Sequence, residues 1–272
     1  MLKKPAPAPK LPPATISEYR GVRSLHLGTV WIQGSMRIAK PDFIELDYVQ
    51  RMLASLLWLP QQQLGRGRAV QLGLGAAAIT RFTHKALGMH TTAVELNPAV
   101  IASCRRSFHL PPDGPRLQVL NQDAATWVHD SAHKGSVQLL HVDLYDHEAA
   151  APVLDDARFY AACRAVLAEG GVMSVNLFGR DASFACSLAQ IAAAFGAGQV
   201  CSLQPTREGN SVVMAGRDVV RPDRAELLER AAAIEARYGA WGLQARKWLR
   251  MLRPLAPEAV PSEPDCHSMR TP

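Results

Sequence analysis

The chain has 272 residues and a formal net charge of +6. Hydrophobic residues make up 48% and charged residues 20%, which is typical of a globular protein with a full core, and no apolar run approaches the length needed to span a bilayer. The positive charge is diffuse, and no RRM, KH, zinc-finger or basic-zipper pattern accompanies it, so we expect neither a nucleic-acid partner nor a membrane partner.

The cysteines and the N-terminal sequence indicate the cellular compartment that we expect for the protein. The five cysteines form no Cys-x-x-Cys pair, which is typical of reduced thiols, so we expect a cytoplasmic protein. No His/Cys/Asp spacing indicates a metal site. The start MLKKPAPAPKLPPAT lacks the apolar core of a secretory signal, and we expect disordered tails over 1–20 and 255–272.

The first structured segment is predicted over 21–64. Residues 22–38 show two short strands around Gly28 and Gly34, which predict a small N-terminal β appendage. Apolar residues at helical spacing then predict a helix over 41–59.

Strand and helix patterns alternate through 65–220. Strands are predicted at 69–74, 91–96, 117–121, 137–142 and 172–177, with helices at 77–87, 98–108, 156–167 and 184–195. This alternation predicts an α/β fold with a doubly wound, mostly parallel sheet. Two further strands at 200–203 and 211–215, joined by a short turn, predict an antiparallel edge hairpin and seven strands in all. Helices are predicted over 221–254.

A glycine loop and a series of acidic residues follow successive strands of this sheet. They are Gly73 and Gly75 in AVQLGLGAAAITRF, then Glu95, then Asp123, then Asp143 and Asp146. Strand ends of a doubly wound sheet converge on one crevice. Glycines let the backbone approach a ligand, and an acid about twenty residues further on suits ribose hydroxyls. The pattern predicts a pocket for a nucleoside-containing cofactor.

Structural interpretations of the same residues remain open. Glu95 and Asp123 could cap the helices that follow them. Asp143 and Asp146 could be ordinary loop aspartates. Tyr145, between them, is either a packing residue or a wall of the pocket.

Five segments, in this order, resemble the spermidine synthase (polyamine aminopropyltransferase) family within the class I S-adenosylmethionine-dependent transferases: LGLGAAAITR, AVELNPAVI, NQDAATWV, VDLYD and FYAACRAVLAEGGVMSV. Upstream, LGTVWIQGSMRIAKPDFIELDYVQRM resembles the N-terminal β segment and helix of that family. The resemblance covers 22–216. It implies a Rossmann-like fold of the class I methyltransferase type, a place in polyamine biosynthesis and a homodimer.

The resemblance also implies roles for individual residues. Gly73 and Gly75 would form the loop beneath the nucleoside, Glu95 would hold the ribose, and Asp123 would bind the adenine amino group. Asp143 and Asp146 match a D-x-x-D motif in which a carboxylate binds the amine substrate and helps to deprotonate it. The implied cofactor is decarboxylated S-adenosylmethionine without a metal, and the implied partner is a small-molecule amine such as putrescine.

Three departures from the family pattern affect the site. Ala76 stands where the family has an aspartate that grips the aminopropyl ammonium group. HEAAAPVLDD replaces a Pro-Gly-Pro segment that shapes the amine pocket. The family's Tyr-(His/Gln)-Glu corresponds to residues 48–51, where either Tyr48 or Gln50 keeps a pocket position and the glutamate is absent.

Three functions fit this pattern. Aminopropyl transfer is favoured by the D-x-x-D motif and the N-terminal segment, and its cationic substrate needs an acidic pocket, which we expect from Asp143, Asp146, Glu148, Asp155 and Asp156. Methyl transfer from intact S-adenosylmethionine to an unknown acceptor is the alternative, because Ala76 is compatible with it. A non-catalytic family member is the third. A nicotinamide dehydrogenase fits less well, since the strand-end acids and terminal hairpin are typical of the methyltransferase-type sheet.

Overall fold

The computed structural model describes residues 11–145, 154–178 and 182–255. The N-terminal sheet has three antiparallel strands, β1 (Ala14–Tyr19), β2 (Val22–Leu27) and β3 (Ile32–Arg37). The small β appendage is thus confirmed, but β1 lies within the tail that we expected to be disordered. A tight turn at Arg20 and Gly21, both with positive φ, pairs β1 with β2. The sequence before residue 14 is rich in Pro and Ala, and this composition led to the prediction of a disordered tail in place of a strand.

The main sheet has eight strands: β4 (Arg68–Leu72), β5 (His90–Glu95), β6 (Leu117–Asn121), β7 (Val137–Val142), β8 (Leu167–Phe178), β9 (Val200–Leu203), β10 (Asn210–Gly216) and β11 (Leu252–Pro254). Their order is β11-β9-β10-β8-β7-β4-β5-β6. The strands from β8 to β6 in this order pair in parallel, whereas β10, β9 and β11 pair antiparallel. The mostly parallel sheet and its antiparallel edge are therefore confirmed.

The eighth strand corrects the prediction of seven. β11 lies in a range that we expected to be helical, and it pairs with β9, so β9 and β10 do not form the outer edge. The pairing continues to Leu255, whose amide donates to the carbonyl of Val200 at 3.2 Å, so the expected C-terminal tail does not begin at 255.

Helices cover both faces of the main sheet: α1 (Asp47–Met52), α2 (Ala78–Arg81), α3 (Pro98–Ser107), α4 (Ala124–His129), α5 (Ala157–Val166), α6 (Ala182–Phe195), α7 (Arg224–Tyr238) and α8 (Ala245–Met251). Side chains of alternate strand residues point to opposite faces. Ala69 and Leu139 join one core with α1, α7 and α8, while Val70 and Leu140 join another with α4, α5 and α6. A third core joins α3 to the N-terminal sheet.

Two predicted helices have different bounds in the structure. The helix expected over 41–59 begins only at Asp47 and continues as a 3-10 turn over Leu53–Trp58. The preceding residues are held in a non-helical path, because the buried Arg81 guanidinium donates to the carbonyl of Pro41 at 2.5 Å. Helix α5, expected over 156–167, ends at Val166, and the chain continues directly into β8.

Most cysteines in the described part of the chain are free thiols. Cys104, Cys163 and Cys201 are free and buried, as expected. Cys186 is disulfide-bonded, so the expectation of reduced thiols is wrong at that position. None of the helices in the described part of the chain combines the length and apolar character needed to cross a bilayer.

Candidate functional site

A cavity of about 620 Å³ opens where the strands of the main sheet end, and the N-terminal sheet forms its opposite wall. The part that we call the nucleoside half is lined by Gly73, Gly75, Glu95 and Asp123, together with apolar residues such as Val100. The part that we call the amine half is lined by Tyr48, Asp143, Tyr145, Asn176 and Phe178. The strand ends thus bring the predicted residues together, while Asp146 lies outside the described residues.

The two loop glycines are required by close backbone contacts. Gly73 has φ +83°, and a Cβ atom there would lie 2.1 Å from the carbonyl oxygen of Asp143. Gly75 has φ +50°, and a Cβ atom there would lie 2.9 Å from the carbonyl oxygen of Gln33. Any side chain would therefore separate the loop from β7 or from the N-terminal sheet.

A buried glutamine, which the sequence analysis did not single out, holds the loop in shape. The Gln71 side-chain amide donates to the carbonyl of Gly73 at 2.7 Å, and its oxygen accepts from the Thr80 hydroxyl at 2.6 Å. A polar residue within an apolar strand was the available signal, because a buried amide needs partners close by.

Glu95 is tied to the glycine loop. Its carboxylate accepts from the backbone amides of Leu74 at 2.9 Å and Asn97 at 2.8 Å. Burial raises the pKa of this carboxyl, and the two amide donors oppose that rise. The side chain that caps α3 is Asn97, which accepts from the Ala99 amide at 3.0 Å. Glu95 therefore faces the cavity and does not cap the helix.

Asp123 has a structural role as well as a place in the lining. Its Oδ1 accepts from the Thr126 amide at 2.7 Å and so caps α4. The residue also lines the cavity. The cap occupies one carboxylate oxygen and leaves the other to accept a hydrogen bond from a ligand.

Asp143 is held from both sides. The Tyr48 hydroxyl donates to its Oδ2 at 3.2 Å, and the Asn176 side-chain amide donates to its Oδ1 at 2.8 Å. Burial raises the pKa of Asp143, while these two hydrogen bonds act in the opposite direction. The pKa of Tyr48 is raised well above its usual value by burial and by Asp143, so this hydroxyl stays protonated and remains a donor.

The structure distinguishes Tyr48 from Gln50. Gln50 is buried outside the cavity lining, and its amide donates to the carbonyl of Ile44 at 2.8 Å. Gln50 therefore does not line the described cavity, whereas Tyr48 does. Tyr145 lines the cavity and donates to the Asn176 carbonyl at 3.0 Å, so it is a wall of the pocket.

Ala76 borders a second, much smaller cavity that adjoins the first. Glu45, Tyr48 and Asp143 line both cavities, so position 76 lies beside the amine half of the site. Ala76 is only 4% exposed, because Gly34 of β3 packs directly against it.

Every charged residue that lines the main cavity within the described part of the chain is acidic. These residues are Glu45, Asp47, Glu95, Asp123, Asp143 and Glu208. Three of them were missed: Glu45 precedes α1, Asp47 is the first residue of α1, and Glu208 lies in the β9–β10 turn. Two expected acids are elsewhere: Asp155 accepts from Tyr160 and Ser187, and Asp156 caps α5. Glu148 lies outside the described residues.

Relatives of known name cover most of this chain, although no family model matches it. It is 32% identical over 231 residues to the polyamine aminopropyltransferase of Chromobacterium violaceum, covering 84% of this chain and 86% of the relative. It is 30% identical over 246 residues to the polyamine aminopropyltransferase of Neisseria meningitidis serogroup B, covering 89% of both.

Solved structures agree on the fold. A probable spermidine synthase from Corynebacterium glutamicum superposes with a TM-score of 0.67 at 18% identity, covering 85% of both chains. Human methyltransferase-like protein 13, in complex with SAH, superposes with a TM-score of 0.60 at 18% identity, covering 74% of this chain and 93% of its own. These likenesses show the class I methyltransferase-type fold. On the strength of the curated relatives, the chain belongs to the polyamine aminopropyltransferase family.

Proposed function

We propose that the protein transfers an aminopropyl group from decarboxylated S-adenosylmethionine to a polyamine such as putrescine. The observation that carries this proposal is the all-acidic charge of the cavity lining in a chain whose net charge is +6. Both proposed ligands are cationic, so an acidic cavity attracts them and disfavours anionic competitors. Decarboxylated S-adenosylmethionine supplies the transferable group on a sulfonium, which is already an activated leaving group.

The nucleoside half of the cavity fits this ligand. Glu95 accepts hydrogen bonds from two backbone amides, and each of its carboxylate oxygens can accept a further hydrogen bond from a ribose hydroxyl. Asp123 can accept from the adenine amino group through the oxygen that does not cap α4. Leu96, Val100 and Ala124 supply apolar contacts for the base.

The amine half supplies a base for the attacking nitrogen. An ammonium group must lose a proton to become a nucleophile, and Asp143 is the acid of this half that two side-chain hydrogen bonds hold in place. Burial makes it a stronger base than an exposed aspartate, while Tyr48 and Asn176 keep it oriented. General base catalysis of this kind contributes about a hundred- to ten-thousandfold in rate. For Asp146, the second acid of the D-x-x-D motif, the amine-binding role that the resemblance implies stays a prediction.

Ala76 supports a second candidate, methyl transfer from intact S-adenosylmethionine. An aspartate at this position would repel the carboxylate of the intact cofactor, because like charges a few ångströms apart are unfavourable. Ala76 removes that repulsion. Against this candidate, Glu45 and Asp143 still border the small cavity beside Ala76 and keep it acidic.

Calorimetric titration with decarboxylated S-adenosylmethionine, S-adenosylmethionine and methylthioadenosine tests the proposal, followed by a transfer assay with putrescine. Tighter binding of the decarboxylated form together with aminopropyl transfer is the expected result. Tighter binding of the intact form, with no aminopropyl transfer, would favour methyl transfer. If no nucleoside binds, the protein is a non-catalytic member of the family and the proposal is wrong.

A further inference from the structure

We propose that Glu208 is a specificity-determining residue that binds the second ammonium group of a diamine substrate. This inference rests on the function proposed above and identifies the side chain that would distinguish a diamine from a monoamine. Glu208 lies in the turn between β9 and β10, is exposed, and lines the main cavity next to Asn210 and Phe178.

Glu208 differs from the other acids of the cavity in having no partner among the described residues. Glu45 and Asp47 form ion pairs with Arg37 and Arg51. The remaining acids accept hydrogen bonds: Glu95 and Asp123 from backbone amides, and Asp143 from Tyr48 and Asn176. A carboxylate that faces a cavity without an internal cation keeps its full charge for a cationic ligand.

The turn that carries Glu208 has a fixed shape. The Thr206 amide donates to the carbonyl of Asn210 at 2.8 Å, and the Asn210 amide donates to the Thr206 hydroxyl at 3.1 Å. Gly209 adopts φ +100°, which other residues rarely adopt, beside the ring of Phe178. The turn therefore holds Glu208 near the cavity without help from a ligand.

Hydrogen bonds connect this turn to the proposed base. The Asn210 side-chain amide donates to the side-chain oxygen of Asn176 at 3.2 Å, and the Asn176 amide donates to Asp143 at 2.8 Å. Only β8 lies between β10 and β7, so two spacings of about 4.8 Å place their ends roughly 10 Å apart. Glu208, in the turn before β10, and Asp143, directly after β7, therefore line the cavity from two strands that are separated by one strand.

Apolar side chains, Phe178 and Leu154, line the same cavity beside these hydrogen-bonded amides. A lining with two carboxylates and apolar side chains suits a diamine, which has two ammonium groups joined by a chain of methylene groups. A monoamine of the same carbon length would leave Glu208 without a ligand.

The test compares putrescine with 1-aminobutane, which has the same carbon chain and one ammonium group. The variants are Glu208→Gln and, as a matched control, Glu229→Gln, which neutralises an exposed glutamate of α7 outside the cavity lining. Calorimetry on protein saturated with methylthioadenosine measures the affinity for each amine, and steady-state kinetics gives kcat and KM.

We expect Glu208→Gln to weaken putrescine binding and raise its KM by about three- to tenfold, as for an exposed charge-assisted contact, with kcat nearly unchanged. Binding of 1-aminobutane should not change, and Glu229→Gln should behave as wild type. Equal effects on both amines, or no effect on either, would overturn the assignment. If the proposed function is wrong, the wild-type protein will show no aminopropyl transfer. The role of Glu208 is still tested in that case, because the affinity for putrescine is measured independently of transfer.

Discussion

The Tyr48 hydroxyl donates a hydrogen bond to Asp143 across 3.2 Å, although 95 residues separate them in the chain. Tyr48 belongs to α1, which follows the N-terminal sheet, whereas Asp143 follows β7 of the main sheet. The contact therefore joins the N-terminal segment to the proposed catalytic carboxylate. It also lowers the pKa of Asp143 and opposes the effect of burial.

Tyr48→Phe should move the pH dependence of transfer. Without the hydroxyl the pKa of Asp143 rises further, so the base becomes ionised only at higher pH. We expect the acidic limb of the kcat/KM profile to shift to higher pH, with a lower rate below it. Tyr19→Phe, at a tyrosine that is 70% exposed on β1, is the control. An unchanged acidic limb would remove Tyr48 from the control of Asp143.

Asp143→Asn should reduce transfer by about a hundred- to ten-thousandfold while preserving the fold. Because burial raises the pKa of Asp143 in the folded state, the folded protein binds this proton more tightly than the unfolded chain. The stabilisation is present below the unfolded-state pKa of about 3.9 and is lost as the pH rises through the folded-state pKa.

Thermal melting as a function of pH checks the stability part of that prediction. Relative to wild type, Asp143→Asn should gain stability as the pH rises through this window, so at pH 7 its Tm should equal or exceed that of wild type. A Tm that falls below wild type at pH 7 would show that the hydrogen bonds of the ionised carboxylate outweigh the cost of burying it.

Most of the nucleoside half could be predicted from the sequence, because parallel strands deliver their ends to one edge. Gly73, Glu95 and Asp123 each follow an apolar run, and their convergence requires only the α/β pattern. Sequence spacing could not choose between Tyr48 and Gln50, because that choice depends on how α1 packs against β10 and β8. The structure decides it through one long-range hydrogen bond.

The missed acids come from connections between strands. Glu45 lies between the N-terminal sheet and α1, in a stretch where a helix was predicted. Glu208 reaches the cavity because β10 is antiparallel to β8, so that β10 begins at the edge where the parallel strands end. A local sequence pattern could not predict the position of Glu208, because that position depends on which strand β10 pairs with and in which direction.

Glu95→Gln should weaken nucleoside binding, and its single side-chain oxygen can accept from only one of the two backbone amides of Leu74 and Asn97. Glu95→Ala would leave both amides without an acceptor, at about 1–3 kcal/mol for each buried donor. The alanine variant should therefore melt at a distinctly lower temperature than the glutamine variant. Calorimetry with methylthioadenosine gives the affinities, and unchanged affinity in Glu95→Gln would place this carboxylate outside the ligand site.

Ala76→Asp should change the choice of cofactor. A carboxylate here would lie beside the small cavity that Glu45 and Asp143 border, where it would attract the aminopropyl ammonium of the decarboxylated cofactor and repel the carboxylate of the intact one. Ala76→Asn has nearly the same size without the charge, so it separates the electrostatic effect from crowding against Gly34.

We expect the ratio of the two affinities, decarboxylated over intact, to rise about tenfold in Ala76→Asp and to stay near wild type in Ala76→Asn. The added charge should also raise the pKa of Asp143, because a like charge nearby disfavours ionisation, and so move the acidic limb of the pH profile upwards. Both variants should melt at a lower temperature, since the site beside Gly34 is tightly packed. If the two variants change the affinity ratio equally, position 76 affects the cofactor through its size and not through its charge.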